Sequence, residues 1–287
     1  MAKPLKNRTR NAIAGYLFIL PWIIGLVAFV AYPVIYSILL SLHTAKVTTS
    51  GIELDWAGLT YYTRALAQDT TFTTTIADTV LFMGCAVPVV LVFSLMIAIL
   101  LNSKFRLRGF FRSVFFLPVI IMSGPAISEL LTKYTVDFSE TGAGIYEFLM
   151  TMPEFIQTPA LFVLNNLVLI LWFSGVQILI FLAGLQKISP EIYEAASIDG
   201  AGAWEKFWKI TLPYIMPIAM VSAIYTVVEI ANWTNNATNQ KISSHLFEVG
   251  QPYSFSAAMS WIYFGVVAIV LLVVFLIFWL MGRRDNA

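Results

Sequence analysis

Charge is what this sequence has least of. Only 11% of its 287 residues are Asp, Glu, Lys or Arg, and the mean hydropathy is +0.81. A soluble globular domain carries about 25% charge. Cysteine is nearly absent: Cys85 stands alone inside an apolar block, which excludes an intramolecular disulfide and a thiolate metal cluster. Histidine is as scarce, and His43 and His245 lie far apart in polar segments, which argues against a Cys/His metal site. The net charge of +1 gives nucleic-acid binding no support. No G-x-x-x-x-G-K-[ST] occurs, so the chain has no P-loop and is not itself an ATPase. Low-complexity tracts, linkers and duplicated segments are missing too. A membrane enzyme needs a convergent nucleophile, metal or acid–base set, and two scattered histidines with mostly loop-borne acids offer none.

What the chain has instead is hydrocarbon-matched length. A helix needs roughly 20 apolar residues to cross about 30 Å of lipid interior. Six such blocks stand out: Ala14–Leu42, Thr74–Leu101, Phe111–Leu130, Ala160–Leu185, Pro213–Trp233 and Ala257–Met281. Blocks of this length satisfy their backbone in lipid as helices. Pro118, Gly124 and Pro125 interrupt the third block, and with Pro88 in the second they are expected to kink their spans, marking either a cavity or ordinary bundle packing. The first block follows a basic start but is too long for a signal-peptide core, so it reads as a retained span rather than a cleaved signal.

The cations orient the bundle. With the N-terminus inside, thirteen of the seventeen Lys and Arg fall on one side, and only Lys46, Arg64, Lys133 and Lys241 on the other. By the positive-inside rule both termini are expected to be cytoplasmic. The expected fold class is therefore an all-α membrane protein of six transmembrane helices. The outer segments Thr44–Phe72 and Thr132–Thr158 have mixed polarity, and "GIYEFLMTMPEFIQ" suits a short interfacial helix. The expected division is residues 1–73, an N-terminal tail, first span and outer loop, and residues 74–287, the main membrane domain.

One cytoplasmic stretch stays charged, aromatic and glycine-punctuated: "SPEIYEAASIDGAGAWEKFWKITLP". Ser189 is a good N-cap, Pro190 suits the first helical position and Glu191 is an acid in the first turn. The spacing predicts a short helix from Pro190 to about Asp199, ended by Gly200. A second helix then places Trp204, Phe207, Trp208 and Thr211 on one face, and Pro213 opens the fifth span. Ala195 and Ala196 leave a low-relief patch where another protein can come close. Spacing alone equally allows an amphipathic connector lying on lipid headgroups.

The stretch resembles the EAA loop of permease subunits of ATP-binding-cassette importers. That family's pattern is EAA, three residues, Gly, nine residues, then Ile, any residue, Leu-Pro. Here it reads Glu194-Ala195-Ala196, Gly200, and Ile210-Thr211-Leu212-Pro213, with every spacing in agreement. Its wording is most similar to the carbohydrate branch, the maltose-type and glycerol-phosphate-type permeases. "GYLFILPWIIGLVAFVAYPVIYSILLSL", "WAGLTYYTRALAQDTTF" and "YSFSAAMSWIYF" resemble that branch's first span, following outer segment and last span. The resemblance implies a type I importer (MetI-like) transmembrane domain whose loop, residues 190–213, is a coupling helix seated in a groove of an ATPase subunit. It implies that Glu194 contacts the ATPase, that Ala195 and Ala196 pack in its groove, and that Gly200 sets the turn, with Asp199, Ile210, Leu212 and Pro213 part of the same element. It also implies the partners: a second, different permease, two ATPase subunits that carry ATP and Mg, and an extracytoplasmic sugar-binding protein. No cofactor is expected on this chain, and the location expected is the cytoplasmic membrane of a prokaryote.

A substrate path is sought among polar residues inside spans, because exposing them to lipid is costly. Ser222, Tyr225, Thr226, Glu229, Asn232 and Trp233 fall at i, i+3, i+4, i+7, i+10 and i+11, one helical stripe. Aromatic faces beside hydrogen-bonding groups suit a sugar; helix–helix hydrogen bonding accounts for such a stripe as well. In the fourth span Asn165 and Trp172 are seven apart and share a face, with Asn166 and Ser174 nearby and Gln177 off it. Asp78, near the outer start of the second span, reads as a solvated residue or a path residue. The leading function is a permease subunit for a carbohydrate, an oligosaccharide by preference. The alternatives are a permease for a non-sugar solute and a secondary transporter using Glu229 as its proton carboxylate.

Overall fold

Long apolar runs become long helices, and their prolines decide where those helices deform. The computed structural model describes residues 4–48, 51–103, 109–110, 113–114, 143–246 and 253–284. Five helices long and apolar enough to cross a membrane occur among the described residues: Ala14–Leu42, Thr70–Asn102, Leu167–Leu185, Ala203–Asn232 and Ser254–Gly282. These match five of the six expected spans. The third block, with Pro118, Gly124 and Pro125, lies outside the described residues. Helix α4, Thr70–Asn102, runs through Pro88 without ending.

The first span is α1 (Pro4–Leu26), a π-turn (Val27–Ala31) and α2 (Tyr32–Leu42). A second π-turn, Phe207–Thr211, joins α9 (Ala203–Lys206) to α10 (Leu212–Asn232). Each π-turn ends two residues before a proline, Pro33 and Pro213. Proline has no N–H for the carbonyl four residues back, and its ring crowds that carbonyl. Here that carbonyl belongs to Phe29 or Lys209, inside the widened turn, which accommodates the ring without breaking the helix. The fifth span therefore does not open at Pro213, as the sequence suggested, but continues from Ala203. Of the expected common face, Trp204, Phe207 and Trp208 do pack together, with ring centroids 5.2–6.4 Å apart, while Thr211 turns away and is buried.

The contacts group the chain into two units. One comprises residues 1–74 and 241–264, the other 75–240 and 265–287. In the first, the segment after α2 forms a β-hairpin rather than the helical or irregular chain an all-α reading expects. β1 (His43–Thr48) pairs antiparallel with β2 (Gly51–Trp56), from His43 opposite Trp56 to Thr48 opposite Gly51. The reason is local: Thr44, Val47, Thr48, Ile52 and Trp56 suit extended chain, and a two-residue connection between the strands suits a hairpin. Tyr61 of α3 (Thr60–Ala67) donates its hydroxyl to Thr44 Oγ1 at 3.0 Å, and Ser254 Oγ accepts the Ala45 N–H at 2.9 Å.

The second unit holds α4 from Thr75 onward, α5 (Ala143–Met150), α6 (Glu154–Asn165), α7 (Leu167–Leu185), α8 (Pro190–Ile198), α9 and α10. Helix α5 is the short helix expected within "GIYEFLMTMPEFIQ". Ala98 and Leu101 of α4, Ile178, Phe181, Leu182 and Leu185 of α7, Ile188 and Ile215 of α10 form one buried cluster. Helices α7 and α10 approach closely because Gly184 has no side chain: a Cβ there would run into Ile218. In lipid, helices associate by such packing and by interhelical hydrogen bonds rather than by the hydrophobic effect. Helices α11 (Ala237–Leu246) and α12 (Ser254–Arg284) complete the chain.

Candidate functional site

At one end of the α7–α10 pair stands the stretch between Ser189 and Pro213. Ser189 Oγ accepts the Glu191 N–H at 3.3 Å and starts α8. Gly200 ends it with φ +82°, a conformation glycine takes at little cost. The Ala201 N–H reaches Ala196 O at 2.9 Å and the Gly200 N–H reaches Ser197 O at 3.1 Å. Together these are the paired bonds of a Schellman C-cap. The turn is tied to the following helix twice. Tyr193 and Thr211 share a hydroxyl–hydroxyl bond of 2.8 Å, in which Tyr193 donates because Thr211 donates on to Lys206 O at 3.3 Å. Lys206 Nζ donates to Ser197 Oγ at 2.6 Å.

This framework points a defined surface outward. Glu194, Ala195, Ile198 and Asp199 are exposed, Ile198 by 86%, and Ala196 is partly so. Trp204 stands 72% exposed on α9. Ile210 and Leu212 face the other way, against the buried cluster, and Pro213 sits at the exposed start of α10. The expected coupling residues thus divide into a presented set and an anchoring set.

The expected stripe on the fifth span also divides. Ser222 and Thr226 are fully buried toward α7, and Glu229 is half-buried with them. Gln177 of α7 is fully buried and donates from Nε2 to Thr226 Oγ1 at 2.9 Å and to Glu229 Oε2 at 3.0 Å. Thr226 passes its own proton to Ser222 O at 2.8 Å. Gln177 Oε1 and Ser222 Oγ are left as buried polar atoms without a partner. Tyr225 and Asn232 lie at the exposed edge of the same stripe, and the Asn232 amide is turned back to Val228 O at 3.0 Å. One edge of the stripe faces α7 and the other stays open.

Trp233 has left the helix, with ψ 124° at the C-cap, and packs edge-on against Phe173 at 6.0 Å between centroids. It also lines a pocket of about 230 Å³ at the end of the pair opposite α8, with Asp78, Phe82, Asn166 and Asn235. A buried network closes that pocket's floor. Thr79 Oγ1 donates to Asn236 Oδ1 at 2.9 Å and lies 3.0 Å from Thr238 Oγ1. Asn236 Oδ1 also accepts the Thr238 N–H at 3.0 Å. Asn239 Nδ2 donates to Ala231 O and Trp233 O at 2.7 and 2.9 Å.

Asn165 and Trp172 do not share a face, because the helix breaks between α6 and α7 at Asn166, with φ −111° and ψ 16°. It is Asn166 that reaches the pocket, while Asn165 is exposed away from it. Asp78, read as solvated or as a path residue, is exposed and lines the same pocket. Sequence reasoning missed Gln177 as the partner of Glu229, and Thr79, Asn235 and Asn236 altogether. The Asn-rich run "NWTNNATNQ" just after the fifth span was the available signal. Among the described residues no group of three or more His, Cys, Asp or Glu stands close enough to hold a metal.

Comparison with known proteins adds four findings. The family described as "Binding-protein-dependent transport system inner membrane component" matches residues 65–286. The chain is 28% identical to the probable ABC transporter permease protein YesP of Bacillus subtilis, over 95% of this chain and 93% of that one. It is 27% identical to the lactose transport system permease protein LacF of Rhizobium radiobacter, over 90% and 91%. Among solved structures, one chain of a bacterial ABC transporter involved in the import of the acidic polysaccharide alginate superimposes with a TM-score of 0.65. That match has 21% identity and covers 99% of this chain and 100% of that one, which is a likeness of fold.

Proposed function

The chain belongs to the family of binding-protein-dependent transport system inner membrane components, and we propose that it forms half of the translocation path of an ATP-driven carbohydrate importer. It is an integral membrane transport subunit, not an enzyme. Its partners in this reading are a second, different permease, two ATPase subunits that bind ATP and Mg, and an extracytoplasmic sugar-binding protein. It sits in the cytoplasmic membrane of a prokaryote with six spans and both termini inside. Residues 14–40 and 264–282 include none that is buried in the single chain, which leaves faces for lipid and for the second permease.

The observation that carries the proposal is the α8 turn. A helix capped by Ser189 and closed by a glycine Schellman motif is tied to the base of a span by Tyr193 and Lys206, and its outer face is bare. Glu194 meets a basic or donor group of the ATPase, Ala195 and Ala196 let the groove come close, and Ile198 is the exposed apolar anchor. Closure of the ATPase pair moves the turn, and the Tyr193–Thr211 bond passes that movement to α10. Alternation of the path is then a two-state equilibrium biased by ATP. Sugar identity is drawn from the relatives named for sugars, and the path residues proposed are Asn166, Gln177, Glu229 and Trp233, with Tyr225 and Asn232 facing the partner permease.

The test is a cysteine at Ala195, crosslinked in membranes that contain the whole transporter. An ATPase subunit captured in high yield, together with a Glu194→Ala variant that hydrolyses ATP without uptake, supports the reading. A chain that inserts, captures no ATPase and transports normally with Glu194→Ala ends it.

A further inference from the structure

Beyond the opening residues 203–211 of the fifth span, which hold Glu205, Lys206 and Lys209, the described spans carry charge of one sign only. Across Ala14–Leu42, Thr70–Asn102, Leu167–Leu185, Leu212–Asn232 and Ser254–Gly282 the charged residues are Asp78 and Glu229, both acids. Asp78 lines the Trp233 pocket, and Glu229 lies one helical turn before Trp233 on α10. An ionisable group at membrane depth is expensive to keep and marks a transport path more often than a packing site.

Several neutral groups around them spend their donors on the protein, while Ser222, Trp233 and Asn235 keep theirs. Gln177 gives its N–H groups to Thr226 and Glu229, and its Oε1 is buried with no donor facing it. Thr226 spends its proton on Ser222 O. At the pocket, Asn236 Nδ2 is turned to Ile230 O and Thr79 to Asn236. The two carboxylates ask their cargo for donors. A sugar hydroxyl supplies them, whereas a uronate carboxylate only accepts. That carboxylate would meet two further carboxylates and, among the described pocket residues, no cation. Rings of Asp and Glu repel anions from membrane pores, and like charge brought together is a strong negative element of specificity. The fold does not impose this choice, since a solved transporter of the same fold imports the acidic polysaccharide alginate.

We propose that Asp78 and Glu229 make this path selective for uncharged or amino-bearing oligosaccharides and closed to uronate oligosaccharides. The inference rests on the carbohydrate-importer reading and adds the charge class of the cargo. The experiment titrates the transporter purified whole from its native membrane. The probes are neutral glucose, xylose, arabinose and galactose oligosaccharides, and galacturonate and mannuronate oligosaccharides of equal length. The readout is the part of the tryptophan quenching that disappears in Trp233→Phe, which reports the pocket itself and not the binding protein's preference. At least one neutral series is expected to quench, with uronates weaker by about tenfold or more. The gap should narrow in the Asp78→Asn, Glu229→Gln double variant. In wild type it should narrow as salt rises, a control that needs no variant to fold. A uronate that binds as tightly as the best neutral sugar overturns the charge rule alone. Silence from every oligosaccharide, with ATPase crosslinking intact, overturns the carbohydrate reading and this inference with it while leaving the importer standing.

Discussion

The two ends of the α7–α10 pair are held by different kinds of contact. Around α8 the bonds join near neighbours: Ser189 with Glu191, Ser197 with Lys206, Tyr193 with Thr211. At the Trp233 pocket, Thr79 reaches Asn236 and Thr238 across 157 and 159 residues. A turn closed by its own neighbours is a small body that can be pushed without undoing the bundle. A knot of distant residues fixes how far apart the helices stand, and moving it means rearranging them. The first arrangement suits a surface that receives a stroke, the second a gate or vestibule that holds its shape between strokes.

The largest test of that contrast is at the knot. Asn236→Ala leaves the Thr238 N–H without its acceptor and Thr79 with only Thr238 Oγ1, in a buried site where an unmade hydrogen bond costs about 1–3 kcal/mol. A clear fall in thermal midpoint of the detergent-solubilised transporter is expected, with hydrogen exchange rising in α4 and α10 together. Thr79→Val with Asn236→Ala should cost less than the sum of the two single changes, because both remove the same bond. Additive losses would mean that the network does not act as one unit.

Gly200→Ala probes the other end. A Cβ at φ +82° costs about 1–2 kcal/mol, placed in the C-cap of a nine-residue helix. The turn should open locally, so exchange rises over residues 196–206 while the thermal midpoint of the bundle barely moves. ATP hydrolysis should persist with uptake lost. If the whole bundle loosened instead, the turn would not be the separate body its contacts describe.

The same contrast explains what could be read from the residues alone. The α8 turn was legible to within a residue because its cap, its helix and its glycine stop are consecutive. The spans were legible because lipid sets their length. The path was not. Its stripe on α10 came from ideal periodicity, and only the packing of α7 decides that Ser222, Thr226 and Glu229 turn inward while Tyr225 and Asn232 stay out. Gln177 was set aside for falling off the Asn165–Trp172 face, yet that face does not exist once Asn166 breaks the helix. The hairpin was hidden by its shortness, and both π-turns by the usual assumption that a proline starts or ends a helix.

Tyr193→Phe removes a single hydroxyl from the link between turn and span. The loss is about 1 kcal/mol at most in stability. Its larger readout is mechanical: uptake per ATP hydrolysed should fall, and Thr211→Val should produce the same loss with no further loss in the double variant. An unchanged ratio in both would mean that the stroke reaches α10 through the continuous backbone of α9 and not through this bond.

The smallest effect separates near from distant contacts in the other unit, where both kinds are ion pairs. Lys46 and Asp55 face each other within the hairpin at 2.7 Å, with side chains 61% and 64% exposed. Asp69 and Lys241 come from opposite parts of the chain at 3.2 Å, with side chains far less exposed and His245 at 3.9 Å. The shorter pair is expected to matter less, because solvent screens it and two long side chains must be held in place. Partial burial works against the Asp69 charge. The Phe72 N–H at 2.9 Å and the Lys241 ammonium outweigh it and hold the carboxyl below the usual range. A carboxyl with a depressed folded pKa adds stability above its unfolded value and loses it as pH falls through the folded one. Asp69→Asn should therefore lower the thermal midpoint near neutral pH, by less than about 1 kcal/mol in stability, and the difference from wild type should vanish in acid. Asp55→Asn should change nothing measurable at either pH. If Asp55→Asn cost more, bond length and not burial would rank these pairs, and contacts between distant segments would not be the stronger ones in this unit.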